Sequence, residues 1–337
     1  MSKKNKPDAI PKTTPDTIPD TIPEAITVLA LNPSLDISYE VTQLLDDQRV
    51  PALNTRYAPG GNGINVSKTL NKMKIPVNCS CIIAGNIGKF IQQQLKAELP
   101  DLLYYDVEGE SRINTIIMQS SPQGQCEVDG RGPLVPEAVL QEIEASFLKT
   151  CGNGFGIVSG SVPPGVPDDT YERLARKIRE QGGKAVVDAS GTLLKKSLAA
   201  KPFLLSMNKY ALEMHSRKNL RKLDDVLNIT RQIQKKHELN NVCITFGQHG
   251  ALLLDSQYSY ICTPPKTHVR STMGAGDALL AGLVAAYAMG EDSATALKRG
   301  VACGTATTTH TGTELCDCSE AERLLLELEV EVKRLND

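Results

Sequence analysis

From residue 137 onward the sequence alternates helically patterned stretches with four short apolar runs: Gly156-Ile157-Val158-Ser159, Lys184-Ala185-Val186-Val187-Asp188, Phe203-Leu204-Leu205 and Val242-Cys243-Ile244-Thr245. Runs this short, apolar without a polar residue at every second position, suit strands covered on both faces, and the stretches between them supply the covering helices. The alternation predicts parallel β-α-β units, hence an α/β fold with helices on both sides of a mostly parallel central sheet. In such sheets the ligand site forms beyond the carboxyl ends of the strands. Polar and glycine-rich motifs that follow the strands should therefore converge, although they lie far apart in sequence.

The ordered part is expected to begin at Ile26-Thr27-Val28-Leu29-Ala30-Leu31, a first core strand stopped by Asn32-Pro33. Before it, Lys3, Lys4 and Lys6 precede a Pro/Thr/Asp pattern with Pro15, Pro19 and Pro23 four residues apart. Repeated prolines remove backbone donors and disfavour a helix, so residues 1–24 read as a flexible leader, and residues 25–337 as one folded domain. Two segments, about 36–58 and 102–132, mix β-formers with polar residues, glycine and proline, which suits a small, partly exposed sheet rather than core strands. They are the candidates for a lid.

Charge narrows the partners: 37 basic against 39 acidic residues leave a formal net charge of −2, so no global field recruits nucleic acid or an anionic membrane, and small metabolites fit better. The longest strongly apolar segment, residues 278–289, falls well short of the roughly 20 residues that span a bilayer. Nine cysteines occur without a C-x-x-C pair; Cys79/Cys81 and Cys316/Cys318 are separated by one residue, which is not the usual zinc spacing. They read as reduced thiols of a cytoplasmic protein.

Chemistry concentrates in Ser271-Thr272-Met273-Gly274-Ala275-Gly276-Asp277, followed at once by the apolar helix Ala278-Leu279-Leu280-Ala281-Gly282-Leu283. Two glycines and an alanine at a helix start leave unpaired N–H groups and the positive end of the helix dipole open to phosphate oxygens. An aspartate beside them can take a proton from an attacking hydroxyl. Taken alone, the stretch also reads as a glycine turn capped by an aspartate before a core helix. A second glycine stretch, Pro59-Gly60-Gly61-Asn62-Gly63-Ile64-Asn65-Val66, carries the first half of a dinucleotide fingerprint, but Val66 stands where the third glycine would be.

Four motifs in this order, Gly60 to Val66, Ser159-Gly160-Ser161-Val162-Pro163-Pro164-Gly165, Val187-Asp188-Ala189-Ser190-Gly191 and Ser271 to Asp277, resemble those of the ribokinase-like PfkB sugar kinases from about Thr27 to the last helix. The resemblance implies a ribokinase-like three-layer sandwich with a small β-sheet lid, ATP as co-substrate and Mg2+ as cofactor. Leu31-Asn32-Pro33-Ser34-Leu35-Asp36, Ser111-Arg112-Ile113-Asn114 and Gly312-Thr313-Glu314-Leu315-Cys316 look most like the phosphosugar branch, whose members phosphorylate fructose 6-phosphate, fructose 1-phosphate or tagatose 6-phosphate. The Gly-Thr-x-Leu-Cys ending and the lack of lysine in the first glycine motif are most similar to the minor bacterial 6-phosphofructokinases.

Carried over residue by residue, the resemblance makes Asp277 the base and the amides of Gly274, Ala275 and Gly276 the anion hole. Asp36 and Asn65 would bind sugar hydroxyls, and Ser161 would join the sugar pocket. Gly60 and Gly61 would let the sugar approach the backbone. Arg112 and Arg49 would grip the phosphate already on the sugar through paired guanidinium hydrogen bonds. Nucleotide contacts would come from Asn208, Thr245, Gly247 and Gly250. In isolation both arginines read more often as solvated charges, Asp36 less often as a turn cap than as a ligand contact, and Asp188 as easily as a helix cap or turn former. Lids of relatives pair across a two-fold axis, which implies a homodimer.

Two positions depart from the family pattern. Many relatives have lysine where this chain has Asn62, so a cationic contact is missing. The usual Asn-x-x-Glu, whose glutamate helps organise magnesium, here reads Asn208-Lys209-Tyr210-Ala211; Glu213, two residues further on, would point elsewhere on a helix. Retained activity, at most weakened, is expected, with a sugar- or nucleotide-binding pseudokinase as the contrary reading. No metal ligand can be assigned.

Overall fold

The computed structural model describes residues 24–310 and 314–335; the leader expected over residues 1–24 lies outside them except for Glu24, as do Gly312 and Thr313. The first half of the chain forms β1 (Ile26–Ala30), β2 (Ser34–Val41), β3 (Asn54–Gly60), α1 (Asn62–Lys72), β4 (Val77–Ala84), α2 (Gly85–Leu95), β5 (Leu103–Val107), β6 (Arg112–Ser120) and β7 (Gln123–Val128). After these come α3 (Glu137–Cys151), β8 (Phe155–Ser159), α4 (Thr170–Glu180), β9 (Lys184–Asp188), α5 (Gly191–Ser197), β10 (Leu204–Asn208), α6 (Lys209–Ser216) and α7 (Leu223–His237). The last part contains β11 (Asn241–Thr245), β12 (Ala251–Leu254), β13 (Tyr258–Cys262), α8 (Ala275–Ala288), α9 (Ser293–Thr308), α10 (Cys318–Glu327) and β14 (Val330–Arg334).

Seven strands in the order β5-β4-β1-β8-β9-β10-β11 run parallel, and β12, β13 and β14 extend the same sheet antiparallel. Every residue of β1 is buried, because successive side chains enter cores on opposite faces. Ile26, Val28 and Ala30 join the core that includes Ile64 of α1, Leu280 of α8 and Val301 of α9, whereas Leu29 joins the one that includes Phe147 of α3 and Leu174 of α4. The result is helix, sheet, helix: three layers, as the alternation of apolar runs requires.

Helix α8 is apolar around nearly its whole circumference and buried to match. It packs backbone to backbone against α9, since a Cβ on Gly300 would lie 2.8 Å from the Leu279 carbonyl oxygen and one on Gly304 2.9 Å from that of Ala275. That contact fixes where α8 begins.

A second sheet, ordered β3-β2-β6-β7, stands beside the first. Its central pair β2 and β6 is parallel, with Ser34 opposite Arg112 and Asp36 opposite Asn114; the flanking pairs are antiparallel. Only Leu31-Asn32-Pro33 separates β2 from β1, so this small sheet springs from the carboxyl end of a core strand. The segment 102–132, read above as lid, starts one strand too early: Leu103–Val107 pairs in parallel with β4 and belongs to the large sheet. As an edge strand β5 is covered unevenly, which gives it the mixed polarity of a partly exposed sheet, yet Tyr104 packs on one core and Tyr105 and Val107 on the other.

Candidate active site

Helix α8 starts from Gly274, whose φ of 69° is left-handed and where a Cβ would come within 2.4 Å of the Leu315 side chain, so glycine answers both demands. In the first turn, the N–H groups of Gly276 and Asp277 have no hydrogen-bond partner among the described residues, and that of Ala275 reaches only the Thr272 carbonyl at 3.4 Å. Gly276 is exposed, and a Cβ there would meet nothing within 4 Å. Free donors, the positive helix end and open space coincide, which is the physical specification of an anion site.

Asp277 lies one residue further, buried, with each carboxylate oxygen held by an asparagine: Nδ2 of Asn62 donates to Oδ1 and Nδ2 of Asn65 to Oδ2, both at 2.8 Å. Both donors come from the first turn of α1, which the left-handed Gly61 (φ 95°) aims at the start of α8; three residues apart, they share a helix face. Burial is the largest influence on this carboxyl and, with the negative Asp188 nearby, lifts its pKa to about 7; the two asparagine amides pull the other way. A carboxylate with a pKa near neutrality is a competent general base at physiological pH.

On the small sheet, the period of two along β2 and β6 turns Ser34, Asp36, Arg112 and Asn114 to one face. The Ser34 hydroxyl donates to Oδ1 of Asp36 at 2.6 Å, and Nδ2 of Asn114 donates to the same oxygen at 2.9 Å. Burial raises the Asp36 pKa while these hydrogen bonds, and the Arg112 charge behind them, oppose the rise. Arg112 is itself buried; its Nε donates to the Asn32 carbonyl at 2.9 Å, and no hydrogen bond from its two terminal nitrogens is formed among the described residues. Those nitrogens are the part of the guanidinium that can grip a phosphate in a forked contact.

Between these two groups lies a cleft walled by Asn32, Gly61, Asn62, Arg112, Gly160 and Ser161. Ser161 is exposed at its rim and accepts a hydrogen bond from Nδ2 of Asn32 at 3.1 Å. The buried Oδ1 of Asn32 has no hydrogen-bond partner among the described residues. Arg49, in contrast, is exposed on the connection between β2 and β3 and takes no part in this network. The two glycines expected to make room for the sugar serve the protein's own packing. A Cβ on Gly60 would sit 1.9 Å from Oδ2 of Asp36, and one on Gly61 3.1 Å from Cα of Pro33.

The nucleotide candidates follow neighbouring strands: Asn208 ends β10 and Thr245 ends β11, opposite one another in register. Asn208 caps α6 by accepting the Ala211 N–H on Oδ1 at 2.8 Å. Gly247 has φ of 61° and open space around it, as close approach of a ligand needs; a Cβ on Gly250 would meet the Cys262 carbonyl oxygen at 1.9 Å, so that glycine is explained by the protein backbone. Asp188, at the end of β9, accepts from the Ser159 hydroxyl at 2.8 Å and is held above the usual carboxylate range by burial. No group of three or more His, Cys, Asp or Glu side chains among the described residues is placed to hold a metal ion. Ala211 has no donor atom, and Glu213 accepts the Leu220 N–H at 2.8 Å, so the family's carboxylate contact to magnesium is not reproduced.

Residues the motif reading left without a role are Asn62, Asn114, Ser34 and Asn32. The signal for Ser34 and Asn114 was available, since each lies two residues from an assigned partner, Asp36 and Arg112, on a strand. For Asn62 and Asn32 it was not, because their contacts cross from one element to another.

A family model described as "pfkB family carbohydrate kinase" matches residues 30–320. The 1-phosphofructokinase of Bacillus subtilis is 28% identical over 287 residues, 84% of this chain and 92% of that protein. Among solved structures, phosphofructokinase-2 from Escherichia coli in complex with substrates and products superposes with a TM-score of 0.83 at 26% identity, covering 90% of this chain and 99% of the other. Arabidopsis thaliana ribokinase, complexed with ribose and ATP, superposes with a TM-score of 0.72 at 16% identity over 90% of this chain and 99% of its own, a likeness of fold alone that makes the architecture ribokinase-like.

Proposed function

Since the chain belongs to the pfkB family of carbohydrate kinases, we propose that it transfers the terminal phosphoryl group of ATP to a phosphorylated ketohexose, fructose 6-phosphate first, giving fructose 1,6-bisphosphate and ADP. The observation that carries this reading is Asp277, a buried carboxyl with a pKa near 7, clamped by two asparagines beside unpaired helix N–H groups.

The Arg112 terminal nitrogens would hold the phosphate already on the sugar, while Asp36 and Asn114 would orient the ring through its hydroxyls. The acceptor hydroxyl would rest against Asp277. As its oxygen bonds to the γ-phosphorus and the bond to the ADP oxygen breaks, its proton passes to Asp277, and the amides of Gly274, Ala275 and Gly276 stabilise the charge on the phosphoryl oxygens. Solvent then takes the proton from Asp277. Asn208, Thr245 and Gly247 would bind the nucleotide at the ends of β10 and β11. Magnesium would enter with ATP and neutralise its phosphate charge, held mainly by those phosphates and water.

The small sheet would act as the lid that excludes water, since otherwise ATP hydrolysis competes with sugar phosphorylation. Its outer side exposes Tyr57, Ile113 and Val128, which a second copy would cover in a homodimer. All nine cysteines are free, seven of them buried, which fits a reducing cytoplasm. One observation favours a second reading, binding without turnover: Ala211 replaces the carboxylate of the family pattern.

The deciding experiment measures ADP release from magnesium-ATP with fructose 6-phosphate, fructose 1-phosphate and tagatose 6-phosphate in parallel, with Asp277→Asn as the blank. A preference among them names the substrate. Silence with all three, in folded protein that binds ATP, supports the pseudokinase.

A further inference from the structure

Asn62 opens α1, and its side chain is held from two directions. Its Nδ2 donates to Oδ1 of Asp277 at 2.8 Å. On the opposite side, a Cβ on Gly160 would meet Oδ1 of Asn62 at 2.6 Å and its Cγ at 2.9 Å, so the Gly160 backbone (φ 89°) closes against the amide and restrains it from turning away. Asn65 is buried and holds the other oxygen, whereas Asn62 is half-buried and forms part of the cleft wall that includes Arg112. One neutral donor on each oxygen fixes the plane of the carboxylate and leaves further lone pairs for an incoming hydroxyl.

We propose that Asn62 is a positioning residue for the base: its amide aligns Asp277 towards the acceptor hydroxyl and supports the carboxylate with a dipole in place of a full positive charge. The inference rests on the kinase reading. A cation at this position would favour the ionised carboxylate more strongly than a neutral amide does, and an empty position would favour it less, so the amide sets an intermediate basicity. The charged groups that face Asp277 are Asp188 from the end of β9 and Asp36 from β2, both acidic, so the side chains that favour its ionised form are the two asparagine amides, alongside the positive end of α8.

The test compares the parent, Asn62→Ala and Asn62→Lys between pH 5.5 and 9. It reads kcat/KM for the phosphosugar that is turned over and the pH dependence of urea unfolding without ligands. Loss of one hydrogen bond to a charged group should move the Asn62→Ala midpoint up by about one pH unit in both readouts. Turnover then falls about tenfold below the midpoint and little at pH 9, with KM for ATP unchanged. Asn62→Lys should move both midpoints down. An Asn62→Ala profile scaled uniformly at every pH, with its midpoint where the parent has it, overturns the proposal, as does an unmoved midpoint in Asn62→Lys should the alanine variant not fold. If the parent turns over no phosphosugar, the kinase reading fails, and the unfolding midpoints alone still decide whether Asn62 governs Asp277.

Discussion

Replacing Asp277 by asparagine should stabilise the fold increasingly as pH rises, while it abolishes most of the activity. Burial lifts this carboxyl from 3.8 to about 7, so the folded chain holds the proton more tightly than the unfolded chain does. The associated stability is fully present below the unfolded pKa and is lost as pH rises through the folded one. Between pH 5 and 7 the unfolded carboxyl is ionised and the folded one is not, and the parent loses about 1.4 kcal/mol per pH unit, near 3 kcal/mol by pH 8. The asparagine does not titrate. Its NH2 must face one of the two donors, Asn62 or Asn65, at a cost of about 1–3 kcal/mol, but that cost does not vary with pH and cancels from the comparison. Urea unfolding of both proteins without ligand at pH 5, 6, 7 and 8 should show the stability of Asp277→Asn relative to the parent rising by about 3 kcal/mol across the range. A rise below about 1 kcal/mol would mean that Asp277 ionises like an exposed carboxyl, and the argument from burial would be refuted.

In turnover, Asp277→Asn should lower kcat by about 10² to 10⁴, the range for a positioned base, and activity within threefold of the parent removes Asp277 from the mechanism. Parent kcat/KM should rise with pH through about 7 as Asp277 deprotonates; a flat profile from pH 5.5 to 8.5 contradicts that assignment. Arg112→Ala should raise KM for the phosphosugar by at least tenfold and leave KM for ATP near its parent value, the removal of one charged forked contact being worth about 1.5–3 kcal/mol; a change confined to ATP would relocate the phosphate pocket. Exposed and outside the polar network, Arg49 should alter either KM less than twofold when replaced by alanine, measured by the same ADP assay. Because Ala211 has no carboxylate and that of Glu213 is tied to the Leu220 N–H, magnesium beyond the ATP-bound equivalent should change kcat less than twofold; a strong second-magnesium dependence would reveal a protein ligand elsewhere.

Local sequence determined the parts of this protein whose physics is local. Apolar runs such as Ala185-Val186-Val187 could only be strands covered on two faces, and their alternation with helices required a parallel sheet with its site at the carboxyl ends. The helix start at Gly274 was legible for the same reason, since left-handed glycine, free N–H groups and the acid that follows are all set within one turn. Tertiary structure decided whatever depends on a distant partner. Helix α2 begins at Gly85, where Glu110, beyond β5, accepts the N–H groups of Asn86 and Ile87. Leu103–Val107 is a sheet edge rather than lid because β4 offers it a parallel ladder. Gly60 makes way for the Asp36 side chain, and Asn62, a mere departure from a pattern when read in line, meets Asp277 across 215 positions. The basicity of Asp277 belongs to the same class: a carboxyl has its pKa near 4 in any sequence, and only enclosure between α1, α8 and Asp188 removes the water that keeps it there.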